Sequence, residues 1–407
     1  MTIYQAKYVF PVSSPTIENG GLAVDQERIV AVGRARDLGL GRLVDLGNQV
    51  LLPGFVNAHT HLELSLLRGR IPPQPFLQWL RQLPPPNRSS RDEESVQGVR
   101  LGLAECLASG VSCVGDICAT GPYLALRRAS PLRSVCFLEL ISGAKRPPRN
   151  PVEYREWLDR ETKAAKTKPL HTMVGISPHA LYSVLPEHAA ALVALAAERS
   201  LPLAIHLLEI AAEREWLEFG TGELAEFLES IDHITAKART LGPAMKRLDL
   251  AGVLRRRPLL AHVNYVTDDE IDQLARCGAS VAYCPRAHHY FGHSPHRWQE
   301  MLRRGLNTCV GTDSLASNKT LSVLDELRFL KKENPMVEAA QLLRMGTLNG
   351  AAALGLERHI GSLEVGKLAD FVTVPIEEPG RGDLAEAIIE GTQPPSGLWI
   401  GGRAVGE

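Results

Sequence analysis

Two kinds of segment alternate along the middle of the chain. Short apolar runs predict buried strands, and each is followed by a longer segment with apolar residues at helical spacing. The eight runs are "VLLPGFVNAHTH", "VSCVGDI", "SVCFLELI", "HTMVGISPHALYS", "PLAIHLLE", "PLLAHVNY", "SVAYCP" and "NTCVGTDS". Eight successive strand–helix units predict an α/β fold of the (β/α)8, TIM-barrel type.

The two ends of the chain follow a different pattern. Apolar and polar positions alternate there between turns rich in Gly, Asn and Asp, which is typical of antiparallel strands. We therefore expect residues 1–53 and 361–407 to form one composite β-sandwich domain, with the barrel over residues 54–360. Residues 70–95 are a proline-rich insertion after the first barrel strand, and we expect it to lie over the barrel mouth.

Composition narrows the classes of partner. The 45 basic and 46 acidic residues give a net charge of −1, so no positive excess attracts nucleic acid or an anionic membrane. No apolar run reaches the roughly 18 residues of a membrane-spanning helix. Seven cysteines without a C-x-x-C pair are typical of reduced thiols. We expect a cytoplasmic protein that acts on a small molecule and binds neither nucleic acid nor membrane.

The predicted strands end in residues suited to metal binding or proton transfer. Active sites of such barrels lie where the strands end. Five strands carry such residues at that point: His59 and His61, then His179, His206 followed by Glu209, His262, and Asp313. Each residue alone is also explained by a structural hydrogen bond or a helix cap. Together they predict a hydrolytic metal site.

The residue types specify the chemistry further. His59 and His61 share one face of a strand, so both rings reach the same point. Three imidazoles and one carboxylate, from His59, His61, His206 and Asp313, suit one divalent ion, either Zn²⁺ or Fe²⁺. Glu209 and His262 are then left to transfer a proton and to polarise the bond under attack.

The motifs "PGFVNAHTHLELS", "HLLE", "AHVNY", "VGTDSLASN" and "GSLEVGKLADFVTV" together resemble the amidohydrolase superfamily, and within it the cytosine/adenosine deaminase-related branch. The resemblance covers nearly the whole chain. It implies one metal ion on the four ligands above, Glu209 as proton shuttle, and a homodimer. Superfamily members with two metals carry a lysine at the end of strand 4. The fourth run here has none, which favours a single ion and a deaminase that releases ammonia from an aminated N-heterocycle.

Three more residues are predicted to contact the substrate. His179 lies in a "PHALY" setting that resembles a substrate-contacting histidine of the deaminases. Trp79, close to Phe76, is placed to stack on a heterocycle, although a core position explains it as well. Arg286 lies in "VAYCPRAHHYFGHSPHRW", with Arg297 and four histidines, and its guanidinium suits a substrate carboxylate. A solvated loop and a second metal site on the histidines are the alternatives.

An aminated purine with an acidic tail fits both the predicted deaminating metal site and the loop that carries Arg286. In this branch, 6-aminodeoxyfutalosine of menaquinone biosynthesis is such a substrate. Adenosine and S-adenosylhomocysteine remain open. One alternative is chlorohydrolase or amidohydrolase activity on a triazine or a cyclic amide. Another is a metal-binding homologue without catalysis.

Overall fold

The computed structural model describes residues 1–83, 91–119, 124–143, 148, 150–165, 170–237, 241–376 and 383–406. No helix within these ranges has the length and the apolar character needed to cross a membrane. Part of the proline-rich insertion, residues 84–90, lies outside the described residues.

The strands and helices alternate as the sequence pattern predicts. The strands are β1 (Thr2–Val9), β2 (Ile17–Asp25), β3 (Arg28–Arg34), β4 (Arg42–Asp45), β5 (Gln49–Pro53), β6 (Phe55–Thr60), β7 (Val111–Cys118), β8 (Arg133–Leu140), β9 (Thr172–Pro178), β10 (Ala204–Leu207), β11 (Leu259–His262), β12 (Ser280–Tyr283), β13 (Asn307–Val310), β14 (Phe371–Pro375), β15 (Gly397–Ile400) and β16 (Arg403–Ala404). The helices are α1 (Phe76–Leu80), α2 (Arg91–Ala108), α3 (Leu124–Ala129), α4 (Pro151–Ala165), α5 (Pro186–Arg199), α6 (Ala211–Phe219), α7 (Glu223–Ser230), α8 (Ile234–Lys237), α9 (Ala244–Leu250), α10 (Asp268–Arg276), α11 (Pro285–Phe291), α12 (Trp298–Arg303), α13 (Val323–Glu333), α14 (Ala339–Met345), α15 (Leu348–Ala353) and α16 (Leu384–Glu390). Short 3₁₀ turns occur at Ala35–Asp37, Leu62–Leu67 and Val253–Arg256.

Strands β6 to β13 build the barrel. They form two parallel four-stranded sheets, β6-β7-β8-β9 and β10-β11-β12-β13. Backbone bridges join the sheets on both sides, because Ala180 pairs with His206 and Thr60 pairs with Asp313. The predicted (β/α)8 fold is confirmed, and both joints lie at the carboxyl ends of the strands, among the predicted site residues.

Local sequence explains the two kinds of element. Every residue of β7 and β8 is buried, as expected for parallel strands covered on both faces. The helix α10 instead buries one face, through Ile271 and Leu274. Its start is fixed by a capping box, in which Thr267 and Glu270 each accept a backbone N–H of the other. This arrangement leaves the strand ends as the place where polar groups collect.

The two chain ends meet in one sheet. Its order is β16-β15-β14-β5-β1-β2-β3, with β4 paired to β1. The strands β5 and β14 pair antiparallel, so the ends of the chain are joined directly as expected. In the described ranges they form one continuous hydrogen-bonded sheet. The boundaries after residues 53 and 360 stay a prediction.

Candidate active site

A cavity of about 510 Å³ opens at the carboxyl ends of the barrel strands. One part of its wall is apolar and includes Phe76, Trp79, Tyr182 and Phe227. The polar part collects residues from six separate barrel strands or the segments that follow them: His61, Glu63, Glu139, His179, His206, Glu209, His262 and Asp313. The cavity therefore joins a surface for a flat apolar ring to a cluster of titratable groups.

The four predicted metal ligands converge. His61 Nε2 lies 3.3 Å from His206 Nε2 and 3.6 Å from Asp313 Oδ1. His59 Nε2 lies 3.9 Å from the same Asp313 oxygen. Ligand atoms about 2.0 Å from a tetrahedral ion lie about 3.3 Å apart. The observed spacing is thus close to that of a site that holds one ion.

One buried nitrogen supports this fit independently. His59 Nε2 is buried and has no hydrogen-bond partner. An unpaired buried polar atom is costly, and a metal ion at the centre of the cluster would supply its partner. Three groups of His, Asp and Glu in the described ranges have ligand atoms within 4.8 Å of one another, and all three lie at this mouth. The set of three nitrogens and one oxygen suits Zn²⁺ or Fe²⁺.

Neighbouring groups orient these ligands. His206 Nδ1 donates to the backbone oxygen of His179 over 3.0 Å, which leaves Nε2 facing the cluster. Ser317 Oγ donates to Asp313 Oδ2 over 2.6 Å, which leaves Oδ1 for the cluster. Asp313 itself has a φ of +54°, in the left-handed region that non-glycine residues rarely adopt. The fold thus holds a strained backbone at the ligand.

Burial also sets the protonation state of the ligands. Desolvation and the neighbouring His206 lower the pKa of His61 to about 3. Desolvation lowers the pKa of His206 to about 4, and the pKa of His59 falls well below its ordinary value for the same reason. Neutral imidazole is the form that binds a metal ion. These histidines are therefore neutral at pH 7.

Glu209 and His262 lie beside the ligand cluster. His262 Nε2 is 3.6 Å from Glu209 Oε1. Burial, and then the charges of Asp313 and Glu213, raise the pKa of Glu209 well above its ordinary value. A carboxyl group whose pKa is raised in this way is suited to act as a general acid.

Two of the three predicted substrate contacts, His179 and Trp79, line the cavity wall. His179 bonds through Nδ1 to Ser183 Oγ over 2.5 Å, which fixes its ring at the cavity. Trp79 donates from Nε1 to the backbone oxygen of Ala316 over 3.1 Å, so its indole is held in one orientation. Their contact with a substrate stays a prediction.

The predicted role of Arg286 requires correction. Its Nε donates to Glu326 Oε1 over 2.9 Å and its Nη2 donates to Thr320 Oγ1 over 2.9 Å. Arg286 is not among the described residues that line the cavity. The guanidinium is taken up by a buried carboxylate of α13, so the structure does not offer it to a substrate carboxylate.

The histidines near Arg286 do not form a second metal site in the described ranges. Part of their stretch is the helix α11, in which Pro285 is the first residue and Gly292 is the left-handed cap. His288, His293 and His296 pack together behind the cavity. In the described ranges, no three of these histidines have ring nitrogens that all lie within 4.8 Å of one another. His296 Nε2 instead donates to the backbone oxygen of His262 over 2.9 Å.

Glu139 is a cavity residue that the sequence pattern does not single out. It lies at the end of β8, and its Oε1 is buried without a hydrogen-bond partner. Burial, and then the neighbouring Glu63, raise its pKa to about 8. The sequence signal that could have identified Glu139 is its charge within the otherwise apolar run "SVCFLELI".

Comparisons with known proteins agree with this geometry. The chain is 32% identical over 389 residues to a 5-methylthioadenosine/S-adenosylhomocysteine deaminase of Moorella thermoacetica, with 91% of this chain and 85% of the relative covered. A solved structure of Helicobacter pylori aminofutalosine deaminase with methylthio-coformycin is similar over the full length of both chains, with a TM-score of 0.84 and 25% identity.

A second solved structure is an adenosine deaminase of Xanthomonas campestris with bound zinc. It has a TM-score of 0.82 and 26% identity, and the match covers 99% of this chain and 92% of that one. A family model described as the amidohydrolase family matches residues 50–405. The chain therefore belongs to the amidohydrolase family, and it is a hydrolase that acts on carbon–nitrogen bonds.

Proposed function

We propose that the protein is a metal-dependent deaminase that removes the amino group of an adenine nucleoside as ammonia. The observation that carries this proposal is a buried carboxyl group, Glu209, with a raised pKa beside a convergent set of metal ligands. Hydrolytic deamination needs both a proton donor for the ring and an activated water. The named deaminases among the relatives support the same reaction class.

His59, His61, His206 and Asp313 would hold the ion. When bound there, a divalent ion lowers the pKa of water to about 7 and acts as a Lewis acid. Zinc is our assignment, because the donors suit it and the Xanthomonas campestris relative binds zinc. Iron takes the same donors, and metal analysis of the purified protein separates the two.

The chain's own residues then move the protons. Glu209 donates a proton to the ring nitrogen next to the amino-bearing carbon, which makes that carbon electrophilic. Asp313 accepts a proton from the attacking water and passes it to the departing amine. His262, close to Glu209, hydrogen-bonds the oxygen that adds to the ring. As the carbonyl forms, the added hydroxyl returns its proton to Glu209, so water is consumed, ammonia is released and both carboxyl groups are regenerated.

The residues of the cavity wall and the names of the related deaminases both support an adenine nucleoside as the substrate. Trp79 and Phe76 offer aromatic surface to a flat ring, and His179 offers a polar contact at its edge. The names of the relatives share an adenine nucleoside and differ in what it carries. Arg286 no longer supports a substrate with a free carboxylate, because its guanidinium is paired with Glu326. A place in menaquinone biosynthesis is supported here by the likeness to aminofutalosine deaminase.

The test is ammonia release from a substrate panel by zinc-loaded enzyme. The panel holds adenosine, 5′-methylthioadenosine, S-adenosylhomocysteine and 6-aminodeoxyfutalosine, with a chlorotriazine and a cyclic amide as the other classes. We expect ammonia from at least one adenine nucleoside, and no turnover after chelation. Hydrolysis of the triazine or the cyclic amide, with no adenine nucleoside deaminated, would refute the proposal.

A matched pair of variants tests the role of Glu209. Glu209→Gln should retain bound metal and lose about 10²- to 10⁴-fold in kcat, the usual contribution of a general acid or base. Glu215→Gln, at an exposed position of α6, is the control and should keep full activity. Near-native turnover by Glu209→Gln would remove this residue from the mechanism.

A further inference from the structure

Glu139 is a buried acid in the cavity that the proposed mechanism does not use. Its side chain is about 94% buried, since the residue is 6% exposed. Its Oε1 has no hydrogen-bond partner, and the residue lines the cavity. A buried carboxylate oxygen without a donor is destabilising, so a donor from a bound ligand is its natural partner.

A second metal ion does not explain this group. Glu139, His179 and His206 have ligand atoms within 4.8 Å of one another. However, His206 Nδ1 is taken by a backbone oxygen, and its Nε2 lies 3.3 Å from His61 Nε2 in the first ligand set. One nitrogen cannot serve two ions. Glu139 and His179 are therefore left to face the substrate.

The order of the strands says which part of the substrate reaches Glu139. The strands β8, β9 and β10 are neighbours, so Glu139, His179 and Glu209 follow one another around the rim. In adenine, the reacting C6 is followed around the ring by N1, C2 and N3, and the sugar on N9 lies next. If Glu209 faces N1, the ring edge with N3 faces His179 and the sugar lies towards Glu139.

We propose that Glu139 sets specificity by accepting a hydrogen bond from a ribose hydroxyl of the substrate. This inference rests on the proposed function, because it takes the orientation of the ring from Glu209. The charge of the wall supports a neutral donor. Among the described residues that line the cavity, Glu63, Glu139, Glu209 and Asp313 are acidic and one residue, Arg81, has a guanidinium. Hydroxyl groups suit such a wall better than an anionic group does.

The experiment compares adenosine with 2′-deoxyadenosine and 3′-deoxyadenosine. A deoxynucleoside leaves the buried Glu139 oxygen without its donor, so we expect wild-type kcat/KM to favour adenosine over one deoxynucleoside by about ten- to a hundredfold. In Glu139→Ala this preference should fall to about one, because the rate with adenosine falls and the rate with that deoxynucleoside does not. Glu139→Gln, of nearly the same shape, should lose part of the preference.

Controls separate recognition from damage. Metal content and melting temperature should match the wild type in both Glu139 variants. Glu215→Gln, at an exposed position of α6 outside the cavity lining, is the control and should keep the preference. A preference that is absent in the wild type, or unchanged in Glu139→Ala, overturns this inference while the deamination itself upholds the proposed function. An enzyme that deaminates no adenine nucleoside overturns both.

Discussion

Replacement of Arg286 by alanine distinguishes a positioning role from substrate binding. Glu326 is fully buried and accepts hydrogen bonds from the Arg286 backbone N–H and from Arg286 Nε, each over 2.9 Å. It also accepts from Asn318 Nδ2 over 2.7 Å. The same Asn318 nitrogen donates to the backbone oxygen of Thr312, next to the ligand Asp313. Arg286 therefore supports the segment that carries Asp313, a proposed metal ligand.

The expected loss of stability follows from the charge of Glu326, which stays buried in the variant. Removing one partner of a buried ion pair costs about 3–5 kcal/mol, because the other charge stays buried. The Arg286 side chain is 17% exposed, so water can partly replace it and we expect about 3 kcal/mol. Glu326→Gln keeps an oxygen that can accept from Asn318 and should cost less. Metal affinity should fall in Arg286→Ala, since the Asp313 segment is loosened.

Two assays are needed. Urea unfolding at saturating zinc gives the free energy of unfolding for wild type, Arg286→Ala and Arg303→Ala. Arg303 is the control, because its ion pair with Glu300 lies at the surface and should contribute less than about 1 kcal/mol. Rates with adenosine and with S-adenosylhomocysteine, which carries a carboxylate, should fall by the same factor in Arg286→Ala. Unchanged stability together with a selective loss of the carboxylate substrate would refute the positioning role and restore the substrate contact.

Two further predictions concern buried groups around the site. Burial raises the pKa of Glu213 from 4.5 to about 7, so stability present below pH 4.5 is lost as the pH rises through 7. In Glu213→Gln the loss of unfolding free energy between pH 5 and pH 7.5 should shrink by about 2 kcal/mol. Urea unfolding that gives the same pH dependence of the unfolding free energy in wild type and variant would contradict this. His296 donates to the backbone oxygen of His262, whose φ is +69°. His296→Ala should lower kcat about tenfold with little change in KM, and His296→Gln, which can still donate, should recover part of it; steady-state kinetics showing a wild-type kcat in His296→Ala would contradict this role.

The convergence of the proposed metal ligands at the strand ends could be predicted because the signal is periodic. His59 lies in β6 and His61 directly follows the last residue of that strand, and parallel strands bring their carboxyl ends to one rim. The barrel joints at Thr60–Asp313 and Ala180–His206 then bring together residues that are far apart in the sequence. Each element needed only its own apolar run to be recognised.

The position of Arg286 and its partner could not be predicted from strand periodicity. Its partner Glu326 lies 40 positions away on α13, and nothing in the spacing says which carboxylate a guanidinium will meet. The helix α11 did carry readable signals, since Pro285 suits a first helical turn and Gly292 a left-handed cap. Glu139 was not predicted to be a site residue, because one acid within an apolar run is usually interpreted as part of the strand. Its value depends on an unpaired oxygen, which is a property of the tertiary structure.

Burial shifts the pKa values of the histidines and of the carboxyl groups of this cavity in opposite directions, and both shifts are useful. Desolvation penalises charge, so it lowers the pKa of imidazoles and raises that of carboxyls. The lowered pKa values of His61 and His206 favour the neutral form that binds metal, whereas the raised pKa of Glu209 favours the protonated form of an acid. Burial raises the pKa of Asp313 to about 6, so this ligand ionises below neutrality even without an ion. A more polar cavity would weaken ligand and acid together, which explains why apolar residues surround the cluster.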